Sequence, residues 1–352
     1  MEDSAPTLEY PFPAVPDAAA VHEIRPGVFW LRMPMPFALD HINLWVLEED
    51  AGWTIVDTGL GSDDVQAAWE SLLAPTGALG AKPVVRVVST HMHPDHVGMA
   101  GWLTQRFDCA LWMTRLEYLS CRLMAADTGR AAPEDGIRFY RRAGWSEASI
   151  ESYRRRFGDF GRLIRPLPES FVRLIDGQLL RIGSQNWQVI VGRGHSPEHA
   201  CLYCAELNLL ISGDQVLPKI SSNTSVFPTE PDADPLTDWL ETIERLRTRV
   251  PATALVLPAH NEPFIGLHAR LDRLRQSALH GADRVIARLD VPMRAMDLVG
   301  AIYRSSIIAE QVHLNLATGE TIANLNYLMR RSKVISTVDD DDVAWYQRAP
   351  EL

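Results

Sequence analysis

The chain has 352 residues, 46% of them hydrophobic and 22% charged, with a net charge of −11. That balance excludes a largely disordered chain, and four cysteines are too few for a disulfide scaffold. A net acidic chain also argues against general nucleic-acid binding, which rests on Lys and Arg.

Residues 1–20 are acidic and proline-rich and read as an irregular arm. They lack a basic start followed by an apolar run, so no signal peptide is expected. No apolar run reaches the roughly 18 residues of a membrane helix, and the expected location is the cytoplasm. Strand-like segments follow at 21–34, 42–49 and 53–60. A helix is predicted over 63–74 with Ser62 as N-cap. The valine-rich 82–90 reads as a buried strand. A helix over 99–107 and a short strand over 109–114 come next. Residues 115–165 then read as three consecutive helices, the last covering 146–165. Strands resume at 171–183, 186–195, 200–207 and 208–214. A loop leads to a helix over 236–250 and a strand over 253–260. Beyond 266 the pattern is mainly helical and closes on a hairpin over 333–347. Strands followed by helices, twice over, argue for sheets covered by helices. We expect an arm at 1–20, a main domain over 21–265 with a helical insertion at about 115–170, and a C-terminal domain over 266–352. Cys201 and Cys204 form a CxxC on a predicted strand. Residues three apart there face opposite sides, so both read as inert buried thiols.

Chemistry gathers where strands end. In the segment THMHPDHVG, His91 and His93 leave a strand two residues apart and can share one metal. Asp95 and His96, beyond the stiff Pro94, face another way and can hold a second. Imidazole with carboxylate suits zinc, with iron or manganese as substitutes. A zinc needs about four ligands. His195 in GRGHSPEH, Asp214 in ISGDQ and His260 in VLPAHN complete the shells. The expected assignment is His91, His93 and His195 on one ion and Asp95, His96 and His260 on the other. Asp214 lies between them. Asp57, in TIVDTGL, is expected to support the HxHxDH loop without binding metal.

VDTG, THxHxDHxG, GHSPxH, SGD and PAH, in this order over about 21–262, resemble the metallo-β-lactamase superfamily. The resemblance implies an αββα sandwich with the metals along one edge. It implies a hydrolase in which a hydroxide bridged by two zinc ions attacks a small thioester, ester or lactone, with Asp95 also able to shuttle a proton. Aspartate at the bridging position resembles the glyoxalase II, lactonase, phosphodiesterase and nuclease branches rather than the lactamases with cysteine there. Two positions depart from common patterns. Glu198 stands where glycine often follows Pro197, and Leu217 stands where many lactonases carry tyrosine.

The insertion holds 11 arginines against 7 acidic residues. Placed over the cleft, that excess would favour an anionic small-molecule substrate; arginines on solvated helix faces are the plainer reading. His41, Asn43, His199, Lys219, Ser222 and Asn223 border the motifs and are candidate substrate contacts. The C-terminal segment resembles the winged-helix-like tail of the superfamily's endoribonucleases. Its expected wing tip, however, is Asp339-Asp340-Asp341-Asp342, which would repel a phosphate backbone. The tail is therefore expected to serve packing, cleft closure or dimerisation. Rival readings are a phosphodiesterase or nuclease on the same two metals, and an iron persulfide dioxygenase using His91, His195 and Asp214 alone.

Overall fold

From Ile42 to Leu47 every residue is buried, which a strand shows only when both faces of its sheet are covered. The computed structural model describes residues 8–17, 20–80, 82–303 and 311–350; residues 1–7, 18 and 19 of the expected arm lie outside the described residues. Strands β1 (His22–Arg25), β2 (Val28–Pro34), β3 (His41–Glu49) and β4 (Gly52–Val56) form an antiparallel meander. Helix α1 (Asp63–Leu72) then carries the chain to β5 (Val84–Val88). Helices α2 (Pro94–Val97) and α3 (Ala100–Phe107) carry it to β6 (Ala110–Met113). Both strands add in parallel, as helical crossovers require. Helices α4 (Arg115–Ala126), α5 (Glu134–Arg142) and α6 (Glu147–Arg156) intervene before β7 (Val172–Arg173) closes the sheet. Its spatial order is the chain order, β1 to β7.

The second sheet has the order β13-β12-β11-β10-β9-β8. It comprises β8 (Leu179–Ile182), β9 (Gln185–Gly192), β10 (His199–Cys204) and β11 (Leu209–Gly213). After α7 (Pro235–Arg249) come β12 (Leu255–Pro258) and the short β13 (Phe264–Ile265). Helices α8 (Leu267–Ala287), α9 (Ala295–Ile302) and α10 (Gln311–Arg330) and the hairpin β14 (Val334–Val338)–β15 (Ala344–Arg348) complete the chain.

Side-chain parity sorts the cores. Trp30, Trp45, Leu47, Val56 and Val88 face Leu180, Trp187, Val189, Leu202, Ile211 and Leu257 across the gap between the sheets. Ile42, Leu44, Val46 and Ile55 take the opposite face and pack on Val65, Trp69 and Leu72 of α1 and Leu103 of α3. Ile190, Leu210 and Val256 cover the far side of the second sheet with Trp239, Ile243 and Leu271 of α7 and α8. The result is an αββα sandwich. Cys201 falls in this outer core and Cys204 in the inner one, as strand parity demands. A fourth core joins Ile137, Tyr140, Trp145 and Ile150 of the insertion to Leu298, Ala323, Leu325 and Tyr346 of the C-terminal segment.

Local signals mostly act as expected. Ser62 caps α1 by accepting from the Val65 amide at 3.3 Å. The helix predicted over 146–165 instead stops at Arg156: Phe157 is extended and Gly158 is left-handed at φ 81°. A single 3₁₀ turn, Asp159–Arg162, follows. The described part of the arm is not loose, since Glu9 exchanges backbone hydrogen bonds with Ile265 at 3.1 and 2.8 Å. Among the described residues no helix is long and apolar enough to cross a membrane.

Candidate metal centre

The two sheets are stitched together at one edge. Asn43 donates its backbone amide to the Ala259 carbonyl at 2.6 Å, and Ala200 donates to Thr90 at 2.8 Å. These two bonds bring the ends of β5, β9, β11 and β12 together, and the motif residues sit there. Potential donor atoms of His91, His93, His195 and Asp214 lie within 4.8 Å of one another, and those of Asp95, His96 and His260 do the same. Asp214 joins the groups. Its Oδ2 is 3.4 Å from His195 Nε2, and its Oδ1 is 3.5 Å from His96 Nε2 and 3.4 Å from His260 Nε2. Asp95 Oδ2 is 3.6 and 3.4 Å from the same two imidazoles.

These spacings decide between hydrogen bonding and metal binding. They are long for a charge-assisted hydrogen bond. They match the separation of about 3.3 Å between tetrahedral ligands each about 2.0 Å from a zinc. The buried atoms His96 Nε2, His195 Nε2 and Asp214 Oδ1 have no hydrogen-bond partner. Unpaired buried polar atoms are rare, and here they converge. The opposite ring nitrogens are all engaged. His195 Nδ1 donates to the Asn223 carbonyl at 2.8 Å, and His260 Nδ1 to the His41 carbonyl at 2.9 Å. His96 Nδ1 donates to Asp57 Oδ2 at 2.8 Å. Each bond fixes a tautomer and turns a bare Nε2 inward. His91 Nε2 and His93 Nδ1 face one another at 2.8 Å. The residues thus fit a divalent metal centre.

Charge follows geometry. Burial holds His91 far below the usual imidazole range and His93 down to about 3, keeping their lone pairs free. Burial acts against His96 and His260 too, but Asp95, Asp57 and Asp214 around the first and Asp214 and Asp95 around the second outweigh it and raise both. Burial would raise Asp214 and Asp95. Their neighbours His260 and His96 pull Asp214 well down, and His96 and His260 bring Asp95 to about 2.

Supporting residues explain the local backbone. Asp57 takes a left-handed φ of 62°, a state costing a non-glycine residue about 1–3 kcal/mol. Its carboxylate holds it there, accepting from Thr90 N, Thr90 Oγ1 and His96 Nδ1 at 2.8, 2.9 and 2.8 Å. His199 is fully buried, and its Nε2 accepts from the Asp214 amide at 3.1 Å. A Cβ on Gly213, itself left-handed at φ 50°, would come within 2.5 Å of that nitrogen, which explains the glycine of the SGD motif.

The expected substrate contacts sort differently. Asn43 is 0% exposed. Its Oδ1 accepts from Trp30 Nε1 and Arg32 Nε, and its Nδ2 donates to the Pro258 and Asn261 carbonyls. Nothing remains for a substrate, and Asn43 instead anchors the loop carrying His260. His41 supplies the carbonyl that orients His260, while its ring accepts from the Asn261 amide at 3.0 Å and pairs with Asp40. Ser222 donates to the Asp214 carbonyl, Asn223 serves His195, and His199 lies behind Asp214. Lys219 is ion-paired with Glu262 at 2.7 Å. The insertion's charge is likewise used locally: nine of its 11 arginines pair with carboxylates.

The motifs did not flag Glu117. This residue of α4 is fully buried, and burial raises its carboxyl. Oε2 accepts from the Met92 amide at 2.9 Å, between His91 and His93. Oε1 accepts from Ser196 Oγ at 2.6 Å and the Glu198 amide at 2.8 Å, just past His195. One carboxylate thus ties together two metal-motif segments about a hundred residues apart. Its only sequence signal is an acidic residue on the face of α4 that also buries Tyr118 and Cys121.

Comparison with known proteins agrees with this geometry. The profile described as the metallo-beta-lactamase superfamily matches residues 38–260, and that of the metallo-beta-lactamase-like C-terminal domain matches 282–349. A beta-lactamase domain protein from Burkholderia ambifaria superposes with a TM-score of 0.88 at 38% identity, covering 97% of this chain and 98% of that one. A metallo-beta-lactamase family protein from Thermus thermophilus gives 0.77 at 25% identity, covering 93% and 100%. Among curated proteins, the acyl-coenzyme A thioesterase MBLAC2 of Gallus gallus is 26% identical over 68% of this chain and 79% of its own. An atrochrysone carboxyl ACP thioesterase of Aspergillus fumigatus is 22% identical over 78% of this chain but only 51% of its own length.

Proposed function

Because the chain belongs to the metallo-beta-lactamase superfamily of metal-dependent hydrolases, we propose that it cleaves a small acyl substrate, a thioester first, an ester or lactone next. In this reading His91, His93 and His195 hold one zinc, Asp95, His96 and His260 a second, and Asp214 is shared; iron or manganese could replace zinc. The observation that carries it is Asp214, whose Oδ2 lies 3.4 Å from His195 Nε2 and whose Oδ1 lies 3.5 and 3.4 Å from His96 Nε2 and His260 Nε2. When bound, such ions lower the pKa of water toward neutrality and polarise a scissile carbonyl. Asp57, the Asn223 carbonyl and the His41 carbonyl keep His96, His195 and His260 in the tautomer with Nε2 free. Asp95 is the more exposed of the two acidic ligands, 19% against 11% for Asp214. Its Oδ2 faces the imidazoles, which leaves Oδ1 to take a proton from the attacking water. The two thioesterase relatives favour the thioester over the other acyl classes. We place the protein in the cytoplasm, where its four unpaired thiols stay reduced. We set the start of its C-terminal domain near residue 266.

Turnover of zinc-loaded protein on a thioester, a lactone and an activated phosphodiester, with Asp214→Ala beside it, tests the reading. Metal-dependent cleavage of the thioester, lost in the variant, is expected. Phosphodiester preference would replace it with the nuclease reading, and full turnover by Asp214→Ala would sink the metal assignment.

A further inference from the structure

We infer that the C-terminal segment positions His195 through a relay of hydrogen bonds, with Glu320 and Tyr303 as its positioning residues. The inference rests on the proposed metal-binding role of His195. The relay starts at the ring: His195 Nδ1 donates to the Asn223 carbonyl at 2.8 Å. The Asn223 side chain fixes that carbonyl in place. Its Nδ2 donates to Glu320 Oε2 at 2.8 Å and lies 3.1 Å from the Tyr303 hydroxyl, which itself donates to the same carboxylate oxygen. Glu320 lies on α10 and Tyr303 just past α9.

The loop holding Asn223 is pressed against α10 along its backbone. Val226 donates its amide to the Gly319 carbonyl at 3.1 Å, and Ser225 Oγ donates to Leu316 O at 3.0 Å. A Cβ on Gly319 would meet Ser225 Cβ and the Val226 carbonyl, each at 2.7 Å. Gly319 therefore leaves the helix bare where Ser225 and Val226 lie against it.

Packing alone does not require this arrangement. Burying a carboxylate is expensive, and an apolar pair would fill the same space. Burial pushes the Glu320 carboxyl above its usual range. The carboxylate does what an apolar pair could not: it orients one amide so that the carbonyl of the same residue points at an imidazole. Glu117 grips the other flank of His195 through Ser196 and Glu198. The imidazole is thus set from the insertion on one side and from the tail on the other.

The test uses full-length protein loaded with cobalt(II), read by its visible absorption and by competition with a chromophoric chelator. Glu320→Ala should bind metal about 10–100-fold more weakly, the range for losing a group that orients a ligand, with an altered cobalt band. Tyr303→Phe should weaken binding in the same direction by less. Glu320→Gln keeps an acceptor oxygen for both donors and should restore affinity and spectrum. Wild-type affinity and spectrum in both Glu320→Ala and Tyr303→Phe would overturn the inference. If Glu320→Ala does not fold, Tyr303→Phe, which removes one hydroxyl, decides alone. Wild-type protein that takes up no cobalt would overturn the functional reading and this inference together. Uptake that the variants leave unchanged overturns the inference only.

Discussion

Glu117 accepts three hydrogen bonds on a carboxylate out of reach of water, and two of the donors are backbone amides that cannot reverse their role. Glutamine is nearly isosteric, yet either orientation of its amide sets an N–H against the Met92 or the Glu198 N–H. We therefore expect Glu117→Gln to lower stability by about 1–3 kcal/mol, the range for one orphaned buried donor. Urea denaturation of wild type and variant measures it, and equal midpoints would contradict it. Glu320 supplies a pH test. Its raised carboxyl binds protons more readily folded than unfolded, so its contribution is full below the ordinary glutamate value and is lost as pH rises through the folded one. Tyr303 faces it, and Arg284 opposes the shift. Glu320→Gln removes that titration. Its melting temperature relative to wild type should climb as pH rises above the ordinary glutamate range; a constant difference would count against it. At this scale the histidine and aspartate motifs were legible, because their chemistry is written in residue type and spacing. The supports were not. A backbone carbonyl such as that of Asn223 has no residue signature, and Glu117 and Glu320 act on partners 17 to 97 positions away. Asn43 misled because a polar residue before a strand reads the same whether it faces solvent or a sheet junction.

Gly319 on α10 offers the sharpest test among the elements. In an exposed helix, alanine for glycine adds roughly 1 kcal/mol of stability. Here the added methyl meets backbone at 2.7 Å, so the sign should invert. Gly319→Ala is expected to lower both the melting temperature and metal affinity, because the loop it displaces carries the Asn223 carbonyl. A stabilised variant with unchanged affinity would show that helix and loop part without consequence. Strands and helices were largely readable, since valine-rich runs ending in motif residues and a serine cap before an amphipathic run have direct physical causes. The break after Arg156 was not. The arginine-rich run favours helix locally, and the extended Phe157 followed by the left-handed Gly158 ends it. The acidic hairpin tip was read correctly as charge and incompletely as structure. Asp339 accepts from the Asp341 and Val343 amides and from Trp345 Nε1, while Asp342 pairs with Arg142 at 2.7 Å.

For the whole molecule, the candidate metal centre sits where the two sheets and their loops meet. Buried atoms without partners sit at its middle. Chelation should therefore cost stability as well as activity. At a free metal concentration a thousand times Kd the linkage is about 4 kcal/mol. Stripping the metal should lower the melting temperature by several degrees or more, and scanning calorimetry with and without chelator would reveal an absent shift. The fourth core was beyond reading from sequence, because its segments around 137–150 and 282–346 meet only in the folded chain, by packing and by bonds such as Met296 N to the Ala143 carbonyl at 2.9 Å. That shared core couples two distant parts of the chain. Tyr140 and Trp145 are buried in it together with Leu298 and Leu325, so the insertion and the tail rely on each other for burial. Removing the tail would uncover those aromatic rings to water.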